Sequence, residues 1–200
     1  MHWGAKELKD LGALLGADSI KAAVHTLLAQ GAKRGSKAFG MLPGLGAALA
    51  AHSIATNPWT VARTRADMTG AVLADLLART TEGPYVLMGH SLGARVMVRA
   101  AQALGTRPGP PRLESVHLLG AAVGRKGDWR TLHESVTGTV WNYWSADDAV
   151  LQWLYTIAET GQQAAGHNGF GTSLPRIKDR NVTRHVGGHT KYVGTVTLAG

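Results

Sequence analysis

The stretch that decides the fold runs from residue 85 to residue 105 and reads YVLMGHSLGARVMVRAAQALG. It joins an apolar run at 85–88, typical of a buried strand, to an apolar pattern with helical spacing that begins at residue 92. The pentapeptide GHSLG lies between them, and a G-x-S-x-G sequence in this context is typical of a nucleophile elbow. Such a turn holds its serine, here Ser91, at a strained backbone position with the hydroxyl projecting. We expect Gly89 and Gly93 to be glycine because side chains there would collide.

The place of Ser91 at the start of a helix predicts a further feature. The backbone N–H of Leu92 and the positive end of the helix dipole can stabilise the oxyanion that forms when an acyl carbonyl is attacked. The segment therefore predicts a nucleophile together with half of an oxyanion hole.

Composition and element order indicate the class of fold. With 44% hydrophobic and 17% charged residues, the chain of 200 residues is globular rather than disordered. Helical patterns alternate with short strands, which predicts a single layered α/β domain over residues 1–200 with a mostly parallel central sheet of about five strands. The nucleophile elbow in this arrangement favours an α/β-hydrolase fold. Further strands are predicted at 115–119, at 139–144 and around 181–183, and helices at 5–15, at 19–30, from Asn57-Pro58 towards Gly83, and from Thr190.

The charge balance of the chain indicates which classes of partner it can bind. Lys and Arg number 21 against 13 Asp and Glu, which gives a net charge of +8 and favours anionic partners such as a phospholipid surface. No block of basic residues is interleaved with aromatic residues, so we predict no nucleic-acid binding. The chain has no cysteine, which excludes disulfides and thiolate metal sites. No secretory signal is visible at the N-terminus, and we expect a cytoplasmic location, either free or peripheral to a membrane.

A serine nucleophile in this fold needs an acid and then a histidine further along the chain. Asp147 and Asp148 both follow the strand predicted at 139–144, and from the pattern alone either could be the acid. His189 lies in a Gly-Gly-His loop after the last predicted strand and is the candidate base, whereas His185 falls in or at the end of that strand. The i, i+4 spacing of the two histidines suits a metal only on a helix, and the intervening glycines argue against one. We predict neither metal nor cofactor.

Several stretches resemble the α/β-hydrolase domain of the transmembrane and coiled-coil domain-containing family of predicted lipases. The matching segments are HWGAKEL at 2–8, NPW at 57–59, GHSLGARV at 89–96, LLGA at 118–121, the segment 142–151, and Gly188-His189 with Tyr192. This resemblance implies a serine esterase or lipase that acts on lipid esters, with Ser91 as nucleophile, Asp148 as acid and His189 as base. It selects Asp148 over Asp147, which we expect instead to cap the following helix. Beside the nucleophile, we assign His90 and Trp144 to substrate binding.

One departure accompanies the resemblance. Family members have a strand ending in a Gly-Phe loop before the HWGAKEL segment, and we expect the oxyanion donor of that loop to be missing here or replaced. The alternative function is therefore a catalytically degenerate hydrolase that acts as a membrane-associated binding or adaptor module. Residues 38–56 are apolar, rich in small residues and preceded by Lys33, Arg34 and Lys37. Residues 33–56 are therefore predicted to form either a lid or membrane-interfacial hairpin, or two short buried helices joined by a Gly/Pro turn.

Overall fold

The computed structural model of the protein describes residues 58–158 and 162–200. The helices predicted at 5–15 and 19–30 and the hairpin predicted at 33–56 lie outside the described residues. Helix α1 (Pro58–Arg79) leads into a compact unit formed by Arg63–Gly200, and the description that follows concerns this unit.

Four strands of this unit form one parallel sheet in the order β1-β2-β3-β4. Helices lie between consecutive strands, as parallel connections require, so the fold class is α/β. In chain order the elements are β1 (Tyr85–His90), α2 (Leu92–Gly105), β2 (Leu113–Leu119), α3 (Arg130–Glu134), β3 (Val140–Trp144), α4 (Ala149–Ala158), α5 (Ala165–Asn168), β4 (Ile177–Asn181) and a 3-10 turn (His189–Lys191).

The register of the sheet brings the carboxyl ends of its strands to one edge. His90 pairs with Leu119, which pairs in turn with Tyr143 of β3. The loops that follow β1, β2 and β3 therefore begin side by side, which is where sites form in parallel sheets.

The core lies between the sheet and helix α2. Val98 and Ala101 of the helix belong to one apolar cluster with Leu87 of β1 and Val116 of β2, and all four are buried. Small residues on the buried face of α2 let the helix approach the strands closely, and this contact fixes the direction in which the helix leaves the end of β1.

Four predictions about the elements need correction. The last strand is Ile177–Asn181 rather than 181–183. Only its first residue is buried, and its sequence shows no alternation of apolar and polar residues that would predict a strand. His185 consequently lies in the turn beyond the strand. The run predicted as a buried strand forms β1, but Val86 and Met88 are exposed. The helix predicted from Thr190 is only the 3-10 turn.

Across the described ranges 58–158 and 162–200, no helix combines the length and the apolar character needed to cross a bilayer.

Candidate active site

Ser91 occupies the sharp turn between β1 and α2. Its φ of 56° is the only positive value of a non-glycine residue within the described part of the chain. Such a conformation costs on the order of 1–3 kcal/mol and persists only where the surroundings hold it. The Ser91 N–H donates to the Leu119 carbonyl at 3.0 Å, and the Ser91 carbonyl accepts the N–H of Ala122 at 3.2 Å. The loop after β2 therefore holds the strained residue from both sides.

The two glycines of the pentapeptide differ in what they do. A Cβ on Gly89 would lie 2.5 Å from the carbonyl carbon of Gly93 and 2.7 Å from the nitrogen of Ala94, both backbone atoms. A Cβ on Gly93 would meet no atom within 4 Å. The expectation that both positions exclude side chains is therefore wrong for Gly93, which points away from the turn, and only Gly89 allows strand and helix to come so close.

Hydrogen bonds connect Ser91, His189 and Asp148 in a continuous chain. His189 Nε2 lies 2.8 Å from Ser91 Oγ, and its Nδ1 lies 2.8 Å from Asp148 Oδ2. A carboxylate only accepts hydrogen bonds, so Nδ1 carries the proton and the unprotonated Nε2 accepts the serine hydroxyl. His189 is 7% exposed and Asp148 is fully buried, which keeps water from competing for these bonds.

Asp148 also begins helix α4, since its Oδ1 accepts the backbone N–H of Leu151 at 3.0 Å. The expectation that Asp147 caps this helix is therefore wrong: Asp147 is exposed, and the cap is the carboxylate that also binds His189. Capping α4 and binding His189 do not exclude each other. A carboxylate has room for both, because its two oxygens offer about four lone pairs.

Tyr192 is a third neighbour of this carboxylate, and no role was predicted for it. Its buried hydroxyl lies 3.2 Å from Asp148 Oδ2 and 3.2 Å from the carbonyl oxygen of Gly166, and its single proton can be donated to either. Burial, followed by the charge of Asp148, raises the pKa of Tyr192 well above its usual value, so the phenol keeps its proton. Its ring packs against Gly120, where φ is 52° and a Cβ would lie 2.8 Å from a ring carbon. Tyr192 belongs with Gly188-His189 to a segment that carries the family resemblance, but no pattern predicts this contact.

His90 holds the backbone of His189 in place. The His90 Nε2 lies 2.7 Å from the carbonyl oxygen of His189, to which it donates, and the two rings are 4.9 Å apart. Burial, and secondly the neighbouring imidazole of His189, lower the pKa of His90. A neutral His90 with its proton on Nε2 satisfies this geometry, so this residue, predicted to bind substrate, also positions the histidine loop.

The remaining predicted site residues are Leu92 and Trp144. Leu92 is the first residue of α2, and the backbone N–H groups of a first helical turn have no acceptor within the helix. Trp144 ends strand β3 and is half-buried. Ser145, which no pattern singled out, donates from its buried hydroxyl to the carbonyl of Val186 at 2.7 Å and ties the histidine loop to the end of β3.

Comparison with known proteins places the chain in a family. The family described as "Protein of unknown function (DUF726)" matches residues 1–198. The chain belongs to this family. Among relatives of the DUF726 chain, a transmembrane and coiled-coil domain-containing protein, STS1 of Oryza sativa subsp. japonica, is 35% identical over 72% of the chain. The probable lipase MIL1 of Saccharomyces cerevisiae is 32% identical over 70%, and the uncharacterized membrane protein F35D11.3 of Caenorhabditis elegans is 31% identical over 76%.

These relatives are much longer than the chain, since the aligned part covers 22% of STS1, 13% of MIL1 and 25% of F35D11.3. No solved structure matches the DUF726 chain.

Proposed function

We propose that the chain is a serine hydrolase of the α/β-hydrolase type that cleaves carboxylic esters through an acyl-enzyme. Ser91 is the nucleophile, His189 the general base and Asp148 the acid that orients it. The observation that carries this proposal is the pair of 2.8 Å contacts, from Ser91 Oγ to His189 Nε2 and from His189 Nδ1 to Asp148. Hydrogen bonds of this length in this order are what transfer of the serine proton requires.

The reaction begins when Ser91 Oγ attacks the ester carbonyl carbon and its proton passes to His189 Nε2. Asp148 remains ionised and stabilises the imidazolium, while the N–H of Leu92 donates to the oxyanion of the tetrahedral intermediate. His189 then protonates the leaving alcohol, which departs and leaves the acyl group on Ser91. Water, deprotonated by the same imidazole, attacks the acyl-enzyme, and the acid product leaves with Ser91 restored.

For the substrate we propose an ester of a lipid. One relative bears the name probable lipase and another is named a membrane protein, and the net charge of +8 favours an anionic membrane surface. We further propose that the chain works at such a surface as a peripheral protein on the cytoplasmic side.

A fluorophosphonate probe, which reacts covalently with an activated serine, tests the nucleophile. The unmodified chain should be labelled, Ser91→Ala should show no labelling, and His189→Ala should be labelled about 10³-fold more slowly or worse. His185→Ala is the matched control, because His185 is an exposed histidine in the turn only four residues before His189, and it should be labelled at the normal rate.

The same labelling experiment is carried out with and without anionic vesicles. Absence of labelling in a folded chain under both conditions would refute the hydrolase and favour the alternative of a membrane-associated binding module. If labelling succeeds, hydrolysis of p-nitrophenyl esters of increasing acyl length tests the lipid substrate, and a preference for the shortest chain would contradict it.

A further inference from the structure

A cavity of about 930 Å³ opens beside the sheet, between the loop that follows β2 and the segment that precedes β4. None of its lining residues belongs to the group around Ser91. It is lined by Arg125, Lys126, Gly127, Trp129, Gln162, Gln163, Phe170, Gly171, Thr172 and Ser173.

The charge of this cavity has one sign. Arg125 and Lys126 line it, and no aspartate or glutamate is among the described residues of its wall. Lys126 is exposed, and within the described ranges it forms no ion pair. Two cations along the described part of the wall raise the local concentration of anions.

Nearby carboxylates are engaged elsewhere. Asp128 accepts the backbone N–H of Arg130 at 3.0 Å at the start of α3. Asp179 accepts the N–H groups of Phe170 at 2.9 Å and Gly171 at 3.1 Å. These bonds fix the backbone of two residues that line the cavity. Neither carboxylate is among the described residues that line the cavity.

Hydrogen bonds and packing fix the position of Arg125. Its backbone N–H donates to the Gln163 carbonyl at 2.7 Å, and its own carbonyl accepts the indole N–H of Trp129 at 3.2 Å. Its Nη1 donates to Gln163 Oε1 at 3.2 Å, and the guanidinium packs against Gly171, where a Cβ would lie 2.5 Å from Nη2. A guanidinium fixed in this way loses little side-chain entropy when it binds a ligand.

The other walls suit a hydroxylated group. Thr172 and Ser173 offer hydroxyls and Gln162 an amide, while Trp129 meets Phe170 edge to face with ring centres 4.6 Å apart. A guanidinium and an ammonium bind phosphate oxygens, amides and hydroxyls bind alcohols, and an aromatic edge accommodates the carbon skeleton between them.

We propose that this cavity binds a phosphorylated polyol of the size of glycerol phosphate, through Arg125 and Lys126. The same chemistry occurs in a water-soluble phosphoester and in the headgroup of a glycerophospholipid. The proposal does not depend on the chemistry of Ser91, and Ser91→Ala should bind the ligand as the unmodified chain does.

Two ligands separate the two sources: sn-glycerol 3-phosphate measured by isothermal titration calorimetry, and vesicles of phosphatidylcholine with or without phosphatidylglycerol measured by cosedimentation. Arg125→Gln should weaken binding of at least one of them about tenfold, as expected for loss of a charge-assisted hydrogen bond. Arg130→Gln removes the same charge from an exposed position outside the cavity and should change binding less than about twofold.

Lys126→Gln is the second variant, because its exposed side chain makes misfolding unlikely to confuse the result. Selective weakening of glycerol 3-phosphate binding identifies a soluble ligand, and selective weakening confined to the vesicles identifies a lipid headgroup; both support the site. Equal weakening by Arg125→Gln and Arg130→Gln, or no binding of either ligand, would overturn it. Inorganic phosphate that bound as tightly as glycerol 3-phosphate would overturn the role of the polyol wall.

Discussion

The contrast between Gly89 and Gly93 gives the sharpest test of the turn at Ser91. In Gly89→Ala the new methyl carbon would lie 2.5 Å from the carbonyl carbon of Gly93 and 2.7 Å from the nitrogen of Ala94. Carbon atoms in ordinary contact are about 3.5 Å apart, so the first turn of α2 must retreat from β1 by about 1 Å. No rotamer change can relieve the overlap, because both atoms are backbone.

The structural cost should be near the upper end for an overpacked site, about 3 kcal/mol, which lowers the melting temperature by about 6–12 °C in a chain of this size. A displacement of about 1 Å at the reacting group should also slow fluorophosphonate labelling of Ser91 about 100-fold. Gly93→Ala should leave both unchanged or raise the stability by up to about 1 kcal/mol, since alanine favours a helix more than glycine does.

Thermal unfolding followed by circular dichroism, together with labelling rates, distinguishes the two variants. The reasoning would be refuted if Gly89→Ala melted with the unmodified chain, or if Gly93→Ala were as damaging as Gly89→Ala. The melting temperature tests the geometry of the turn even if Ser91 proves unreactive.

Substitutions at three further positions test the surroundings of Ser91 and the sheet. Asp148→Asn should slow labelling by about four orders of magnitude and keep the cap of α4, whereas Asp148→Ala should also lose about 1 kcal/mol of stability; equal stability of the two would contradict the capping role. Tyr192→Phe should slow labelling about tenfold, because the Asp148 carboxylate loses a donor, and an unchanged rate would show that this bond does no positioning. Burial lowers the pKa of His117 below 6.5, so only the unfolded chain gains this proton and stability falls as the pH drops below that value. His117→Asn should therefore reduce the loss of unfolding free energy between about pH 7.5 and about pH 5.5, measured by urea denaturation at each pH, and an identical loss would contradict it.

The sequence predicted β1, α2 and the turn between them because its signals there are local. The apolar run of β1 and the helical spacing of α2 flank a turn whose residues carry their own conformational signature. Strand β4 gave no such signal, since Lys178, Asp179 and Arg180 are exposed at the edge of the described sheet. Pairing with β3 makes those residues a strand, and that is a tertiary contact which no periodicity records.

The residues of the candidate site could be predicted from the sequence, but the hydrogen bonds among them could not. Asp147 and Asp148 are equivalent in the sequence, and the difference between them is burial at the start of α4, which depends on how the loop after β3 packs. The hydrogen bond from Tyr192 to Asp148 also depends on tertiary packing. The Tyr192 hydroxyl reaches Asp148 because the ring packs closely on Gly120.

The loop after β2 sets the spacing of the whole group although it contributes none of the three hydrogen-bonded side chains. On one side its residues Leu119 and Ala122 hold the backbone of Ser91. On the other, Gly120 leaves room for the Tyr192 ring, and a Cβ there would also lie 3.3 Å from Asp148 Oδ2. Because one residue without a side chain separates the strained serine from the buried carboxylate, any bulk at Gly120 would push Asp148 and Tyr192 away from His189. The distance between the proposed nucleophile and the proposed acid is therefore fixed by backbone geometry, and the imidazole of His189 fills the space that this geometry leaves.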